Sequence, residues 1–332
     1  MSEYLLEIKD ERLSFFTPAG EVKALNGVSI HMKEGEVLGI VGESGSGKSV
    51  TAYSLMGLTA HPGKLIGGTL DFNGHRVNDM TEKEMRKMRG NEVSIIFQDP
   101  MTSLNPVYTI GNQIEEVIRL HTNKTKQEAK ERARELLTLV GINEPDKRLK
   151  QFPHELSGGM RQRIMIAIAL ACEPKLLIAD EPTTALDVTI QAQILELMMD
   201  LKEKLGMAII MITHDLGIIA EVCDEVSVVY AGQIVEHGTL VDVFNHTRHP
   251  YTEGLFGSLP NIEIKRNRLS PIPGLMPDPT DLPKGCCFAP RCKYATPECE
   301  KARPGKKWLS DTHYVRCSRY DEPNFKIERE DQ

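Results

Sequence analysis

The chain has 332 residues, of which 40% are hydrophobic and 26% charged, with a formal net charge of −7. This length suits one large α/β domain with an appendage or two modest domains, and the acidic balance argues against broad electrostatic binding of nucleic acid. No apolar run approaches the roughly 20 residues that span a bilayer, and the acidic start Met1–Glu7 is unlike a signal peptide, so we expect a cytosolic chain.

Short strands dominate the first hundred residues. Glu11–Phe16 and Val28–Met32 have strand-like patterns, and Glu36–Val41 is an apolar strand that runs directly into a glycine-rich loop. Ser49–Leu58 has helical spacing, and Val93–Phe97 is a further apolar strand. A strand, a glycine loop and a helix in this order predict a nucleotide-binding unit.

The glycine loop Gly42–Ser49 matches the P-loop pattern in full. Its glycines let the backbone curl so that N–H groups converge on phosphate oxygens. Lys48 is expected to reach the β- and γ-phosphates of ATP, and the Ser49 hydroxyl to ligate Mg²⁺. The other loop residues predicted to contact nucleotide are Gly42, Ser44, Gly45, Ser46 and Gly47.

The pattern is helical from about residue 106 to 175, and it contains a second glycine motif, Leu156–Gly159. Glycines at a helix start expose backbone N–H groups and the positive end of the helix dipole, which favours anions. The P-loop is already expected to hold the phosphates of this chain's own nucleotide. A second anion-binding helix start therefore requires another phosphate to bind. The simplest source is the nucleotide of a partner subunit.

Polar residues end several predicted strands. Asp180 and Glu181 follow the strand Leu176–Ala179, Gln98 follows Val93–Phe97, and His214 follows the strand Ala208–Ile212. Ligands of open α/β sheets bind at the carboxyl ends of the strands. We expect Asp180 and Gln98 to hold Mg²⁺, Glu181 to polarise the attacking water, and His214 to contact the γ-phosphate.

Together these motifs resemble the nucleotide-binding subunits of ABC transporters over about residues 5–255. They follow the order of that family: the P-loop, Gln98, Leu156–Arg163, Asp180–Glu181, Ala185–Asp187 and His214. The resemblance implies an α/β P-loop NTPase fold of the ABC cassette type, with a RecA-like core, an antiparallel β N-terminal part and a helical insertion. It implies a nucleotide-binding domain at 1–255 with a helical subdomain at about 106–175, and an extension at 256–332.

The resemblance also implies roles across a dimer interface. Two cassettes face head to tail with two ATP molecules between them, so that Ser157, Gly158 and Gly159 contact the γ-phosphate held by the other subunit. Asp187 couples the two sites. Phe15 is similar to the aromatic residue that stacks on adenine, although its neighbour Phe16 is a second choice.

Three further segments resemble the ATPases of dipeptide, oligopeptide and nickel importers: Phe97–Pro106, His249–Thr252 and Ile272–Gly274. This resemblance implies a second, distinct ATPase subunit, two membrane permease subunits and an extracytoplasmic binding protein. The chain would lie at the cytoplasmic face of the membrane as a peripheral subunit. The sequence leaves two alternatives undecided: that the ATPase is a homodimer, and that its substrate is nickel.

After about residue 255 prolines crowd the sequence and five cysteines fall between positions 286 and 317. Such a segment buries little apolar surface, so we expect it to need a bound metal group or another cross-link to stabilise its fold. Cys286, Cys292, Cys299 and Cys317 suit an iron–sulfur cluster or zinc, and Arg291 with Lys293 could offset the thiolate charge. The tail resembles that of peptide-importer ATPases with a 4Fe–4S cluster, which favours iron–sulfur.

The leading hypothesis is therefore an ATPase subunit that energises peptide import. The alternative is an importer ATPase of the same family that serves nickel or another solute. A soluble ATPase of the same superfamily that acts on DNA or ribosomes is less favoured. Such proteins carry coiled-coil insertions, two fused cassettes or DNA-reading modules, and this chain has none of these signals. A pure iron–sulfur redox protein is disfavoured by the complete set of ATPase motifs.

Overall fold

The computed structural model describes residues 3–184, 186–258, 272–322 and 324–327. These divide into two compact units. The first draws its described residues from 3–32, 38–78 and 213–327, and the second from 33–37 and 79–212. Among the described residues, no helix combines the length and the apolar character needed to cross a membrane.

The described part of the chain has twelve strands. In chain order they are β1 (Leu6–Thr17), β2 (Gly20–Met32), β3 (Val37–Val41), β4 (Gly63–Phe72), β5 (His75–Arg76), β6 (Val93–Ile96), β7 (Leu176–Asp180), β8 (Ala208–Ile212), β9 (Glu225–Tyr230), β10 (Gln233–Thr239), β11 (Lys307–Trp308) and β12 (Tyr314–Val315).

The helices range from one turn to five turns. In chain order they are α1 (Lys48–Leu55), α2 (Glu82–Met88), α3 (Pro100–Ser103), α4 (Ile110–His121), α5 (Lys126–Leu139), α6 (Pro145–Arg148), α7 (Gly158–Ala169), α8 (Val188–Leu205), α9 (Leu216–Val222), α10 (Leu240–Asn245), α11 (Pro250–Gly257) and α12 (Pro297–Lys301).

The first unit contains an antiparallel sheet and the strand that leads into the P-loop. The antiparallel sheet has the order β2-β1-β4-β5 and buries leucines such as Leu6 and Leu13, which confirms the antiparallel N-terminal part. A second run of strands has the order β11-β12-β10-β9-β3. Strand β3 pairs with β9 in parallel, and β3 ends immediately before the P-loop.

The second unit carries the parallel strands β8, β7 and β6 in neighbouring positions. Every residue of β7 and β8 is buried, as expected for parallel strands covered on both faces. Helices α4 to α7 follow one another between Ile110 and Ala169 without an intervening strand, within the stretch predicted to be helical.

The described part of the tail buries more than its sequence predicted. Strand β12 pairs with β10, placing Val315 opposite Glu236 and Tyr314 opposite His237. Tyr314, Val315 and Phe288 are buried. The tail was expected to bury little apolar surface, and its few large side chains nevertheless join the core of the first unit.

Candidate nucleotide site and cysteine pocket

The P-loop requires glycine at its first position. Gly42 has φ +151°, and an added Cβ would lie 2.2 Å from the carbonyl oxygen of Val229. Gly47, which precedes helix α1, has φ +109°. Both backbone conformations strain other residues, so the fold itself depends on the glycines that the nucleotide-binding pattern requires.

Lys48 is held against the loop that it follows. Its Nζ donates to the carbonyl oxygens of Gly42 at 2.8 Å and Glu43 at 3.0 Å. Ser49 is half-buried in the first turn of α1, while Ser44 and Gly45 are exposed at the loop tip. The ammonium group therefore lies at the glycine loop, as its predicted role requires.

Glu43, inside the P-loop, is held by residues from the C-terminal part of the chain. The Arg291 guanidinium donates to its two carboxylate oxygens at 2.7 and 3.0 Å. The Glu43 N–H donates to the hydroxyl of Tyr251 at 2.7 Å. Tyr251 lies in the first turn of α11, where the His249 side chain accepts from its N–H and caps the helix.

The second unit brings two predicted catalytic residues together. Gln98 Nε2 donates to Glu181 Oε2 at 2.7 Å, and the Thr184 hydroxyl donates to the same oxygen at 3.0 Å. Glu181 adopts φ +48° directly after β7, whose last residue Asp180 is only 2% exposed. The left-handed turn gives the two adjacent carboxylates different surroundings.

The second glycine motif, Leu156–Gly159, which we call the signature motif, leads into helix α7, which begins at Gly158. Ser157 caps the helix by accepting from the Met160 N–H at 3.4 Å, and Ser157 and Gly158 are exposed. Gly159 lies against Ile190, which an added Cβ would approach to 3.2 Å. The motif thus presents a capped, solvent-facing helix start.

The other predicted contacts occupy three separate positions. Asp187 is exposed and caps α8 by accepting from the Ile190 N–H at 3.0 Å, while its motif neighbour Ala185 lies outside the described residues. His214 is exposed between β8 and α9. Phe15 is half-buried and Phe16 is 46% exposed.

The predicted ATP-site residues are divided between the two units. The P-loop, Phe15 and His214 belong to the first unit, whereas Gln98, Asp180, Glu181, the signature motif and Asp187 belong to the second. Within the second unit, Gln98 and Glu181 are in direct contact. Their contact across 83 residues follows from the position of each at or just beyond the end of a parallel strand.

The four cysteines predicted as ligands line one pocket of the first unit. Its lining also includes His249, Phe288 and Arg319. Among the described residues, three ligand atoms come within 4.8 Å of one another only in His31, Glu225 and His237. We call the pocket lined by Cys286, Cys292, Cys299 and Cys317 the cysteine pocket; no three of its four sulfur atoms all lie within 4.8 Å of one another.

Burial controls the acidity of these thiols. It raises the pKa of Cys286 to about 11 and that of Cys317 to about 12, and it also raises the pKa of Cys292. Burial acts on Cys299 in the same direction, but hydrogen bonds with Thr296 and Ser318 and the charge of Arg319 together outweigh it and lower the pKa of that thiol. Thiolates in this pocket would need a compensating positive charge.

The charges near the cysteine pocket differ from those that the sequence suggested. Arg291 pairs with Glu43 and Lys293 pairs with Glu253 at 2.9 Å, so the expectation that both offset thiolate charge was wrong. Arg319 lines the pocket instead and lowers the pKa of Cys299. Spacing alone could not reveal the Arg291 contact, because its partner is 248 residues away.

Two family models match different parts of the chain. The ABC transporter model matches residues 25–184, and the model of the oligopeptide/dipeptide transporter C-terminal region matches residues 235–299. The oligopeptide transport ATP-binding protein OppD of Bacillus subtilis is 56% identical, covering 94% of this chain and 88% of OppD. The dipeptide transport ATP-binding protein DppD of Escherichia coli is 49% identical, covering 94% and 96% respectively.

A solved structure shares the fold of most of the chain. It is a dimeric form of the ATP-binding cassette MJ0796 in a post-hydrolysis state bound to ADP and phosphate. The TM-score is 0.64 at 28% identity, and the match covers 71% of this chain and 98% of MJ0796. The similarity confirms the mixed α/β fold of an ABC cassette.

Proposed function

The chain belongs to the ATP-binding subunits of ABC transporters, and we propose that it hydrolyses ATP to energise the import of dipeptides or oligopeptides. The family match makes it an ATPase. The peptide assignment rests chiefly on the match of residues 235–299 to the oligopeptide/dipeptide transporter C-terminal region. The peptide-transport names of OppD and DppD support the same assignment.

We assign nucleotide binding first to the P-loop. Gly42, Ser44, Gly45, Ser46 and Gly47 bind the phosphates through the loop, and the Lys48 ammonium, which lies at this loop, moves onto the β- and γ-phosphates. Phe15 stacks on adenine; it is the less exposed of the two neighbouring phenylalanines.

The hydroxyl, amide and carboxylate oxygens of Ser49, Gln98 and Asp180 are the hard donors that Mg²⁺ prefers, so these residues fit that ion. When bound, Mg²⁺ would neutralise charge that develops on the phosphates during hydrolysis. Gln98 donates through Nε2 to Glu181, and its Oε1 is the atom suited to the metal.

Glu181 is the residue that we propose polarises the attacking water. Its Oε2 is fixed by donors from Gln98 and Thr184, which orient the carboxylate before substrate arrives. His214 contacts the γ-phosphate and helps to hold the water. The support for these roles is the position of each residue at the end of a core strand.

The complete active site is proposed to form between two cassettes. Ser157, Gly158 and Gly159 bind the γ-phosphate held by the partner's P-loop, and Asp187 couples the two sites. The exposed, capped start of α7 supports this role, and the related cassette MJ0796 is dimeric. We propose a heterodimer with a second ATPase subunit.

Membrane permease subunits are implied for an importer ATPase of this family. We propose two of them, together with an extracytoplasmic substrate-binding protein, and place the chain at the cytoplasmic face of the membrane. We also propose the division into a cassette at 1–255, with its helical subdomain at about 106–175, and an extension at 256–332. The consecutive helices α4 to α7 support the helical subdomain.

Replacement of Glu181 by glutamine tests the ATPase mechanism. In the purified transporter, Glu181→Gln should bind ATP normally but hydrolyse it at least about a hundredfold more slowly, since an amide is a far weaker base than a carboxylate. Phosphate release and binding of an ATP analogue measure the two properties. Wild-type turnover in this variant would contradict the role of Glu181.

We further propose that the cysteine pocket holds a 4Fe–4S cluster. The support is that all four cysteines line one pocket, since four cysteine thiolates are the usual ligands of such a cluster. Cys286, Cys292, Cys299 and Cys317 would hold it, and when bound it would cross-link the turn between Cys286 and Cys292, helix α12 and the chain at Cys317.

Metal analysis of anaerobically purified protein tests the cluster. We expect about four iron and four acid-labile sulfide per chain, with visible charge-transfer absorption. Cys317→Ser should lose both, while Cys172→Ser, outside the pocket, should retain them. Stoichiometric zinc without iron would contradict the proposal.

A further inference from the structure

We propose that Arg291 is a positioning residue that transmits the state of the cysteine pocket to the P-loop, so that loss of the bound metal group weakens ATP binding. The inference rests on the proposed function, because it requires nucleotide at Gly42–Ser49 and a metal group at the four cysteines. Its physical basis is a continuous set of contacts within the first unit.

Arg291 uses its whole guanidinium fork. Besides the two bonds to Glu43, Nε donates to the Pro273 carbonyl at 2.8 Å, and the remaining donors reach the Ile272 carbonyl and the Tyr230 hydroxyl, each at 3.4 Å. The side chain is 4% exposed, and the bonds to Glu43 raise the pKa of Arg291 above its ordinary value. Five matched donors fix the orientation of the group.

Glu43 transfers this orientation to the P-loop backbone. Its carboxylate is bound by Arg291 and its N–H by Tyr251, while its carbonyl accepts from Lys48 and from the Ser46 N–H at 3.2 Å. Backbone N–H groups of this loop are the proposed phosphate ligands. A displacement of Glu43 would therefore misalign the groups that bind ATP.

The other end of the connection lies in the cysteine pocket. The turn between Cys286 and Cys292 contains both Phe288 and Arg291, and it is closed by the bond from the Ala289 N–H to the Cys286 carbonyl at 3.0 Å. A group bound to both cysteines would fix the two ends of this turn. Arg291 is adjacent in sequence to one of those ends.

A second contact from the same turn reaches the P-loop. The Phe288 ring, which lines the cysteine pocket, packs edge-to-face against Tyr251 with 5.4 Å between ring centroids and against Tyr230 at 5.2 Å. Tyr251 is the residue that accepts from the Glu43 N–H. The turn thus acts on Glu43 through both an ion pair and an aromatic contact.

Release of the metal group should weaken ATP binding for two reasons. The turn would lose the constraint at its ends, which lets Arg291 and Phe288 move. The Glu43 carboxylate, without its guanidinium partner, would then repel the phosphates of ATP. Both effects act in the same direction, so nucleotide affinity reports the state of the pocket.

The experiment is a titration of the full-length chain with a fluorescent ATP analogue and Mg²⁺, before and after metal removal by oxidation and chelation. Wild-type affinity should fall about tenfold on removal. Arg291→Met should bind weakly from the start and respond little to removal, and Arg291→Lys should behave in the same way because lysine lacks the fork.

Two further variants make the result specific. Glu43→Gln should fold normally and lose most of the response to metal removal, because the ion pair is gone. Lys293→Met, in which an exposed lysine next to Cys292 loses its pairing with Glu253, should keep the wild-type affinity and response. Thermal unfolding of each variant separates loss of affinity from loss of fold.

Each outcome has a definite meaning. A metal-loaded chain whose affinity is unchanged by removal, or a Glu43→Gln chain that responds as wild type does, overturns the coupling alone. A chain that contains no metal overturns the cluster proposal together with the coupling. Failure of the wild-type chain to bind the ATP analogue would overturn the proposed function.

Discussion

At the scale of residues, the proposed hydrolysis depends on the orientation of one carboxylate. Glu181 accepts two hydrogen bonds at the same oxygen, from Gln98 and Thr184. Its left-handed backbone turn separates it from Asp180, which ends the buried strand. Adjacent acidic residues can therefore serve different functions, one at the metal and one at the water.

Removal of the Gln98 amide should lower turnover more than it lowers binding. Gln98→Ala is expected to reduce the rate of ATP hydrolysis at least about tenfold, because Glu181 loses an orienting donor and Mg²⁺ a ligand. Steady-state hydrolysis and ATP-analogue binding measure the two effects. Gln127→Ala is the matched control, since exposed Gln127 also donates to a glutamate, Glu131. An unchanged rate for Gln98→Ala would contradict the assignment.

Glu11 should make stability dependent on pH. Burial raises the pKa of its carboxyl to about 7, although the Ser54 hydroxyl partly opposes this. The folded chain therefore holds the proton more tightly than the unfolded chain, and this stabilisation is lost as pH rises from about 4.5 through 7. Glutamine cannot lose a proton, so the stability of Glu11→Gln relative to wild type should rise by roughly 2 to 3 kcal/mol from pH 5 to pH 8.

Denaturant unfolding at several pH values measures the effect of Glu11. Glu7→Gln, on the same strand but paired with Lys9 near the surface, is the control. A constant difference between Glu11→Gln and wild type from pH 5 to pH 8 would show that the buried carboxyl has an ordinary pKa.

At the scale of elements, helix starts combine stability with proposed function. Asp187 caps the five-turn helix α8, and Ser157 caps α7. Capping requires only an accepting side chain, whereas the proposed coupling of ATP sites requires the charge of Asp187. Substitution can separate these two demands.

Asp187→Ala should lower the free energy of unfolding by about 1 kcal/mol, and Asp187→Asn should not, because asparagine also caps helices. Both variants should reduce ATP hydrolysis in the assembled transporter, since neither carries the charge. Thermal unfolding and phosphate release distinguish the effects. Normal ATP hydrolysis by Asp187→Asn would show that Asp187 serves only as the cap of helix α8.

The sequence predicted the core elements well for a physical reason. Strands β7, β8 and β9 are short apolar runs, and such runs predict buried parallel strands without knowledge of which distant residues they contact. The contact between Gln98 and Glu181 also follows from strand ends. The pairing of β12 with β10 involves two residues per strand, too few for a pattern.

The Arg291 contact illustrates what sequence could not provide. The residue stands beside Cys292, which suggested a role for its charge at the thiolates, yet its side chain reaches Glu43 in the P-loop. The direction of a side chain depends on the turn that carries it, and no local pattern encodes that turn. Subfamily motifs His249–Thr252 and Ile272–Gly274 contribute contacts to the same arrangement.

At the scale of the whole molecule, the proposed composite site predicts that one chain is incomplete. The isolated chain should bind ATP yet hydrolyse it slowly, and addition of the partner ATPase subunit should raise the rate. Ser157→Arg should leave ATP binding by the isolated chain intact but abolish that increase, because the arginine obstructs the partner's γ-phosphate site. Fast hydrolysis at high dilution, without a partner, would contradict this prediction.

Uptake of a labelled peptide by cells tests the central claim most directly. The chromosomal copy is replaced by Glu181→Gln or by the control Glu203→Gln, whose carboxylate is 76% exposed on α8. We predict that Glu181→Gln abolishes accumulation of the labelled dipeptide or oligopeptide, while Glu203→Gln and the uptake of a free amino acid remain normal. Normal peptide accumulation in cells that contain only the Glu181→Gln chain would contradict the account.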